Sequence, residues 1–165
     1  MANVVPTQGP GGVEFGVQDA TVTLQAITCL KGAVLAVDMD TVDSGFRYTH
    51  VRAPATADFV TATNVADLGT FFCVALEAQA TSGGKVKVRF AGVVDVLPTA
   101  SGISVGDSLV PADGVHTLTE SSATTSVAGT GAMIVAKALE ASAASLVPIK
   151  VLFDGIHGFG RSIDN

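Results

Sequence analysis

An all-β fold built from two related units is the architecture that the sequence predicts, and three observations support it. Short stretches alternate apolar and polar residues with a period of two, which is typical of half-buried strands. Gly, Pro and Asp recur between these stretches at turn spacing. One phrase occurs twice, because Ala75–Val93 and Ala138–Ile156 are identical at ten of nineteen positions without a gap. Such a repeat indicates two units that each cover the apolar face of the other.

The first 18 residues combine prolines and glycines in a pattern that disfavours both helix and central strand. We predict an extended arm over residues 1–18, with Val4, Val5 and Phe15 as the apolar side chains that can anchor it. A disordered terminus is the alternative that the same composition allows.

The first predicted unit, residues 19–94, begins with two strands. Apolar and polar residues alternate in "DATVTLQAI" from Asp19, and "GAVLAVDMD" over Gly32–Asp40 is a short apolar run. The long insertion Thr41–Gly69 follows, and we expect one short helix in it, over Ala57–Leu68. Three aromatic residues lie in this insertion: Phe46, Tyr48 and Phe59.

Each copy of the repeated phrase is predicted to form a strand, a turn and a second strand. The Ala, Leu and Glu content of "ALEAQA" and "ALEASAA" favours helix, but each stretch is short and is followed at once by Ser or Gly and a strand. The expected hairpins pair Phe71–Gln79 with Lys85–Val94, and Met133–Ser142 with Val147–Ile156. Their second strands place these residues on the inward face: Val86, Val88 and Phe90 in the first copy, and Val147, Ile149, Val151 and Phe153 in the second.

The second predicted unit, residues 95–156, begins with a sequence similar to that near the start of the first unit. In both "ISVGDSLV" and "ITCLKGAVLAV" an Ile precedes a Gly, which precedes an apolar strand. We therefore expect a single β domain over residues 19–156, made of the two units, and a C-terminal tail over residues 157–165.

Composition and charge narrow the classes of partner. The net charge of −6, the pI of about 4.8 and the scattered basic residues argue against nucleic acid, because phosphate binding needs clustered Lys and Arg. Charged residues make up only 15 % of the chain and hydrophobic residues 48 %, so the surface is either neutral or covered by other subunits. We therefore expect self-association.

Signals for membrane insertion, secretion and disulfides are weak in this sequence. No stretch reaches the roughly 18 apolar residues of a membrane span, and the N-terminus lacks the basic and apolar regions of a secretory signal, so we expect no membrane partner. Cys29 and Cys73 lie in apolar stretches and are expected to be buried free thiols. Free thiols fit a chain that is made in a reducing cytoplasm.

No constellation of residues points to catalysis. "DMDTVDSG" over Asp38–Gly45 has its third acid and its glycine out of place for a calcium loop. The repeat-related Glu77 and Glu140 are expected to face outward rather than to form an acid–base pair. We predict that the protein is not an enzyme, and that it has no catalytic, cofactor-binding or metal-binding residues and no cofactor. Three histidines lack the spacing of metal ligands: His50, His116 and His157.

Two long passages share further features: "VALEAQATSGGKVKVRFAGVVDVLPTASGISVGDSLV" (Val74–Val110) and "GAMIVAKALEASAASLVPIKVLFDG" (Gly131–Gly155). They contain a glutamate-bearing hairpin, a strand that ends in Gly, a "GD" turn before a strand, and a second hairpin near the end. In these features, and in the start "MANVVPTQG", the chain resembles a family of small phage-encoded proteins that decorate or cement capsids. It departs from the family in the length of Thr41–Gly69 and in the extension Ile156–Asn165.

The resemblance implies a small β-barrel or β-sandwich that oligomerises, often as a homotrimer, on the outside of a viral head. The implied partners are the major capsid protein and further copies of the chain. The implied location is the capsid exterior of a virion whose proteins are made in a host bacterial cytoplasm. Two sets of contact residues are expected: the capsid-contact arm with Val4, Val5, Pro6 and Phe15, and an oligomer or shell contact of the insertion with Phe46, Tyr48 and Phe59.

Two other functional classes serve as alternatives to a cement protein that stabilises capsomer junctions. Another virion β-module, such as a tail or fibre component that binds host carbohydrate, would expose clustered aromatic side chains. This chain has no Trp and one Tyr. A hydrolase or isomerase would need a cleft with convergent polar groups.

Overall fold

The computed structural model describes residues 18–40, 49–55, 58, 60–61, 71–112, 114–121, 131–159 and 161–163. All twelve elements assigned in this part of the chain are strands, which confirms the predicted all-β class. Their bounds are β1 Gln18–Leu24, β2 Val34–Val37, β3 His50–Arg52, β4 Val60–Thr61, β5 Phe72–Ala75, β6 Lys85–Val96, β7 Ser108–Pro111, β8 Leu118–Glu120, β9 Gly131–Met133, β10 Ala136–Ala138, β11 Ile149–Asp154 and β12 Arg161–Ile163.

Five strands of the main sheet close into a barrel. The nine-stranded sheet has the order β1-β3-β2-β5-β6-β11-β10-β7-β8, and an additional pairing joins β1 to β6. This antiparallel pairing extends from Gln18, opposite Ala91, to Thr23, opposite Lys85. The ring β1-β3-β2-β5-β6 therefore closes on itself, which satisfies the backbone groups that an open sheet edge would expose.

The other main-sheet strands repeat this arrangement around the second half of β6. There β6 pairs with β11, β11 with β10, β10 with β7, and β7 with β8. A parallel bridge between Pro98 and Leu118 then joins β8 to the chain directly after β6. The first half of β6 ends one unit and the second half begins the next. The boundary expected between residues 94 and 95 thus falls inside a strand that both units share.

The two copies of the repeated phrase form hairpins with the same register. Val74 lies opposite Arg89 in the first hairpin, and Lys137 lies opposite Leu152 in the second. Both strands are thus shifted by the same 63 residues that separate the two copies in the sequence. The structure therefore confirms that the fold is built from two related β units.

The same correspondence holds where each unit begins its second strand. The N–H of Gly32 donates to the carbonyl of Ala75 at 2.8 Å, and the N–H of Gly106 donates to the carbonyl of Ala138 at 2.8 Å. Both glycines adopt a positive φ, of 85° and 93°, which lets the chain turn into the strand without a Cβ clash. The similarity between "ITCLKGAVLAV" and "ISVGDSLV" thus reflects the same turn.

The glutamate of the repeated phrase has a structural role in both hairpins. The backbone N–H of Lys87 donates to Oε1 of Glu77 at 3.0 Å, and that of Lys150 donates to Oε2 of Glu140 at 2.9 Å. Both glutamates are exposed. Each carboxylate holds the start of the turn against the returning strand through a charge-assisted hydrogen bond.

Strand β2 separates two hydrophobic clusters, because its side chains alternate between the two faces of the sheet. Leu35 packs with Val51 inside the closed barrel. Val34 belongs to the larger cluster, which also contains Phe72 of the first unit and Phe153 of the second. All four residues of β2 are buried, so the strand is a continuous apolar run, and the shared cluster holds the two units together.

The joint between the units depends on Gly155. Its carbonyl accepts the N–H of Phe72 at 2.8 Å, and its N–H donates to the carbonyl of Phe90 at 2.9 Å. A Cβ at this position would lie 1.9 Å from the Phe72 carbonyl oxygen. Glycine therefore allows the chain after β11 to enter between β5 and β6.

Two local predictions are wrong. The helix expected over Ala57–Leu68 does not continue through that range: Asp58 is helical, but Val60–Thr61 forms β4 and pairs with β9; most of the range lies outside the described residues. Val and Thr fit a strand well, and the tertiary pairing overrides the local helix preference. Val147 was expected to face inward but is 49 % exposed, because Pro148 has no N–H to donate and β11 begins only at Ile149.

A separate three-stranded sheet joins the insertion to the C-terminal tail. Its order is β12-β9-β4, with both neighbours antiparallel to β9. Ala132 of β9 lies opposite Val60 of the insertion on one side and opposite Ser162 of the tail on the other. The insertion Thr41–Gly69 and the C-terminal extension thus contribute strands to one sheet.

Candidate interaction surface

The residues that the sequence assigns to capsid and oligomer contacts lie outside the described part of the chain. They are the arm residues Val4, Val5, Pro6 and Phe15, and the insertion residues Phe46, Tyr48 and Phe59. The surface considered below is therefore built from other residues, which the structure does place.

Exposed apolar side chains converge on one groove of about 300 Å³. Leu30, Val115 and Leu146 line it and are 60 %, 46 % and 53 % exposed. Clustered exposed apolar surface marks a site of interaction more often than single exposed residues do. We call this site the apolar groove; its other lining residues are Ala33, Leu97, Gly114, His116 and Thr117.

The apolar groove lies where the two units meet, and backbone hydrogen bonds hold its walls. The N–H of Val34, in the first unit, donates to the carbonyl of His116 in the second at 3.0 Å. The N–H of Leu146 donates to the carbonyl of Pro98 at 2.9 Å. The groove is thus formed by the fold itself, which reduces the ordering cost of binding.

Leu146 adopts a backbone conformation that leucine disfavours. Its φ is 60°, in the left-handed region, which costs a residue with a side chain roughly 1–2 kcal/mol. The equivalent residue of the first hairpin is Gly83, with a φ of 77°. The same turn is therefore made by glycine in one copy and by an exposed leucine, at a cost, in the other.

The apolar groove carries no formal charge at neutral pH. Its lining contains no Lys, Arg, Asp or Glu. Burial lowers the pKa of His116, so the neutral imidazole is the form present at pH 7. An uncharged groove of this kind suits an apolar segment rather than an ion.

A second cleft, of about 220 Å³, lies beside the shared strand β6 and contains Lys31, Arg89, Asp95 and Lys150 in its lining. The Arg89 guanidinium donates to both carboxylate oxygens of Asp19, at 2.8 and 3.0 Å, and these hydrogen bonds lower the pKa of Asp19. Nζ of Lys150 donates to Oδ1 of Asp95 at 3.0 Å. The two pairs neutralise Arg89 and Lys150 within the chain, so Lys31 supplies the remaining positive charge of this cleft.

The two thiols of the described ranges are buried away from solvent. Cys29 and Cys73 are free and buried, which confirms the sequence prediction, and burial raises the pKa of both thiols so that they stay protonated. Within the described ranges, no three His, Cys, Asp or Glu side chains are grouped so that they could hold a metal ion. In the same ranges, no helix has both the length and the hydropathy that a membrane span requires.

The apolar groove cannot be read from the sequence alone, because its lining comes from four separate stretches of the chain. One signal could have pointed to it. In the aligned repeat, Gly83 and Gly84 are replaced by Leu146 and Val147, two apolar residues at a turn that should be polar or glycine-rich. A departure from the internal repeat was thus the informative feature.

Comparisons with known proteins found a similar fold among solved structures but no similar sequence. No protein-family model matches the chain, and no curated protein matches it. Among solved structures, the crystal structure of the N base of head fiber gp8.5 in bacteriophage phi29 matches with a TM-score of 0.51 and 16 % sequence identity. The match covers 84 % of this chain and 94 % of that chain. The chain is thus similar in fold to the base of a phage head fiber.

Proposed function

We propose that this protein is a structural component of a bacteriophage virion that binds the outside of the assembled head and stabilises its capsomer junctions. The observation that carries the proposal is the fold likeness to the phi29 head fiber base, which spans most of both chains. The resemblance of Val74–Val110 and Gly131–Gly155 to capsid decoration proteins supports the same assignment. It rests on amino-acid sequence motifs, whereas the likeness to the head fiber base rests on backbone geometry.

The proposed role is mechanical and needs contact area rather than a reaction. A chain with 15 % charged residues can lay neutral surface against a shell without desolvating many ions. We propose that it associates as a homotrimer, so that one assembly touches several major capsid subunits at a junction. Each contact can then be weak, because multivalency combines the contacts through effective concentration.

The N-terminal arm belongs to this proposal as an additional contact. Its Val4 and Val5 would seat in pockets of the shell while its backbone pairs with an exposed strand edge. Removal of residues 2–12 would then leave the β domain intact and weaken its attachment to heads.

The test uses heads that lack the protein. Purified full-length chain is added back, and attachment is measured by sedimentation, with the temperature of DNA release as the second readout. We expect saturable attachment and a higher release temperature for decorated heads. Equal release temperatures with and without bound protein would exclude the cement role and leave surface decoration alone.

A second candidate is the base of a head fibre, which the identity of the solved neighbour favours. Cryo-electron microscopy of decorated heads separates the two. Density that contacts several capsid subunits at each junction would support the cement role, and density that carries a projecting fibre would support the fibre base. Carbohydrate binding has less support, because Phe71 is the only aromatic among the large apolar residues exposed in the described ranges.

A further inference from the structure

We propose that the apolar groove is the docking site of the chain's own N-terminal segment, with Val4, Val5 and Pro6 seated against Leu30 and Leu146. This inference does not depend on the proposed function, because it concerns the free protein. It also gives the arm two alternative partners, since shell contact by the same residues would require them to leave the groove.

Two leucines of the groove lining, Leu30 and Leu146, stand at turn positions where the other unit has a different residue. Leu146 stands where the first hairpin has Gly83, in a conformation that favours glycine. Leu30 and Ser104 are equivalent residues of the two turns. The carbonyl of Leu30 accepts a hydrogen bond from the N–H of the residue three positions later at 3.1 Å, and the carbonyl of Ser104 does the same at 3.1 Å. Each copy of the unit therefore shows a smaller or more polar residue that makes the same turn. Both leucines are more than half exposed, so they contribute surface rather than core.

The apolar groove and the N-terminal segment also match in charge. The groove lining contains no Lys, Arg, Asp or Glu. Between Ala2 and Val13 the chain has no charged side chain either, and the first is Glu14. An uncharged apolar segment and an uncharged apolar groove meet without desolvating an ion, whereas the acidic remainder of a chain of net charge −6 is a poor occupant.

The N-terminal segment is also long enough to reach the apolar groove. β1 begins at Gln18, which lies opposite Ala91, and β6 leads from there to Leu97 in the groove wall, a distance of about 20 Å along the strand. The chain between Pro6 and Gln18 spans up to about 40 Å when extended. Because β1 is antiparallel to β6, Gln18, the first residue of β1, lies at the end of the barrel toward which β6 continues to Leu97. The segment is therefore long enough to reach the groove of its own chain.

The experiment uses a labelled synthetic peptide of residues 1–13 and measures its fluorescence anisotropy with two proteins, the full chain and a variant that lacks residues 2–12. We expect the peptide to bind the truncated protein. The full chain should bind the peptide at least about ten-fold more weakly than the truncated protein does, because its own segment occupies the groove at high effective concentration.

Substitutions locate the binding in the groove. Leu30→Ser and Leu146→Gly, made in the truncated protein, each introduce the residue that the other unit has at the equivalent turn position, so the turns are retained. Each substitution should weaken peptide binding by about ten-fold, as expected for a central apolar contact. Leu139→Ser is the matched control, because Leu139 is 43 % exposed and lies outside the groove lining. It should bind the peptide as the parent does, and thermal unfolding of each variant verifies its fold.

Three outcomes would overturn the assignment. One is that the truncated protein does not bind the peptide. Another is that Leu139→Ser weakens binding as much as Leu30→Ser. The third is equal binding by the full and truncated chains, which would leave the groove open to the segment of another copy. Because no heads are used, each outcome is independent of whether the protein attaches to a shell.

Discussion

Two hairpins of the same register, β5–β6 and β10–β11, join their strands through turns of different chemistry. The first turn contains Gly83 and Gly84, and the second contains Leu146 and Val147 at the equivalent places. The backbone nevertheless follows the same course, with φ at 77° for Gly83 and 60° for Leu146. In the second hairpin the sequence therefore opposes the backbone that the tertiary structure imposes.

The difference shows which features hold the register. Both hairpins keep the cross-strand pairs and the bond from the glutamate to the returning strand. Register is strongly specified when one face of a strand is buried, because a slip by one residue would expose the whole apolar set. The turn residues are thereby released from a folding role, and the second unit presents apolar side chains there.

The largest expected effect comes from the equivalent glycines near the end of the two copies, Gly92 and Gly155. Gly155→Ala would place a Cβ 1.9 Å from the Phe72 carbonyl oxygen, so the joint between the units must open, and we expect a loss of more than about 3 kcal/mol. Gly92→Ala meets a positive φ of 121° and should also be destabilising, but by about 1–2 kcal/mol. Urea unfolding of both variants measures the difference. Equal losses would contradict the special role of Gly155 at the joint.

The hairpins could be predicted from the sequence because their strands follow simple rules. Val86 and Val88 alternate with lysines, and the gapless repeat carries the same pattern to Ile149 and Val151. The register follows from that alignment. Strand β4 could not be predicted, because its pairing with Ala132 joins residues about 70 positions apart and local propensity carries no information on such contacts.

Neither the shared strand β6 nor the apolar groove could be predicted from the sequence, for related reasons. β6 runs through twelve residues and continues past Gly92, the glycine that predicts a strand end, so the sequence does not show that both units share one strand. The groove assembles Leu30, Leu97, Val115 and Leu146 only once the two units have packed. Leu146 departs from the internal repeat, but the sequence does not show which residues it lies beside, and their proximity is a property of the tertiary structure.

An exchange of the turn residues tests the comparison directly. Gly83→Leu would place a side chain in a left-handed conformation and should lower the free energy of unfolding by about 1–2 kcal/mol. Leu146→Gly relieves the same strain, but glycine loses more backbone entropy on folding, so we expect a gain of less than about 1 kcal/mol. Chemical denaturation of both variants provides the measurement. A clear loss in Leu146→Gly would mean that the leucine stabilises the hairpin.

The glutamates test whether the two hairpins are equivalent in energy as well as in geometry. Glu77→Ala and Glu140→Ala each remove one charge-assisted bond to a backbone N–H, of 3.0 and 2.9 Å. Because both carboxylates are exposed and water can replace them, each loss should be only about 1 kcal/mol, and the two should agree within about 0.5 kcal/mol. Denaturant midpoints of the two variants give the comparison. A much larger effect at Glu140 would show that the glycine-free turn depends more on its glutamate.

The smallest expected effect concerns His116, two residues before Leu118 in β8, where the first unit has Thr49 two residues before Val51 in β3. Burial lowers the pKa of His116 below its ordinary value of 6.5. The unfolded chain therefore takes up this proton at a higher pH than the folded chain does. The contribution to stability is complete above pH 6.5 and is lost as the pH falls through the lowered folded-state pKa.

The measurement is the free energy of unfolding at pH 7 and pH 5 for the parent and for His116→Thr, which introduces the residue of the first unit. The parent should lose more stability on acidification than the variant, because the variant has no imidazole that must remain neutral in the folded state. The difference should be modest, since His116 is only half-buried and water screens part of the cost of its charge. Identical pH dependence in the two proteins would show that the wall of the groove admits the protonated ring without cost, and the groove would then also accept a charged occupant.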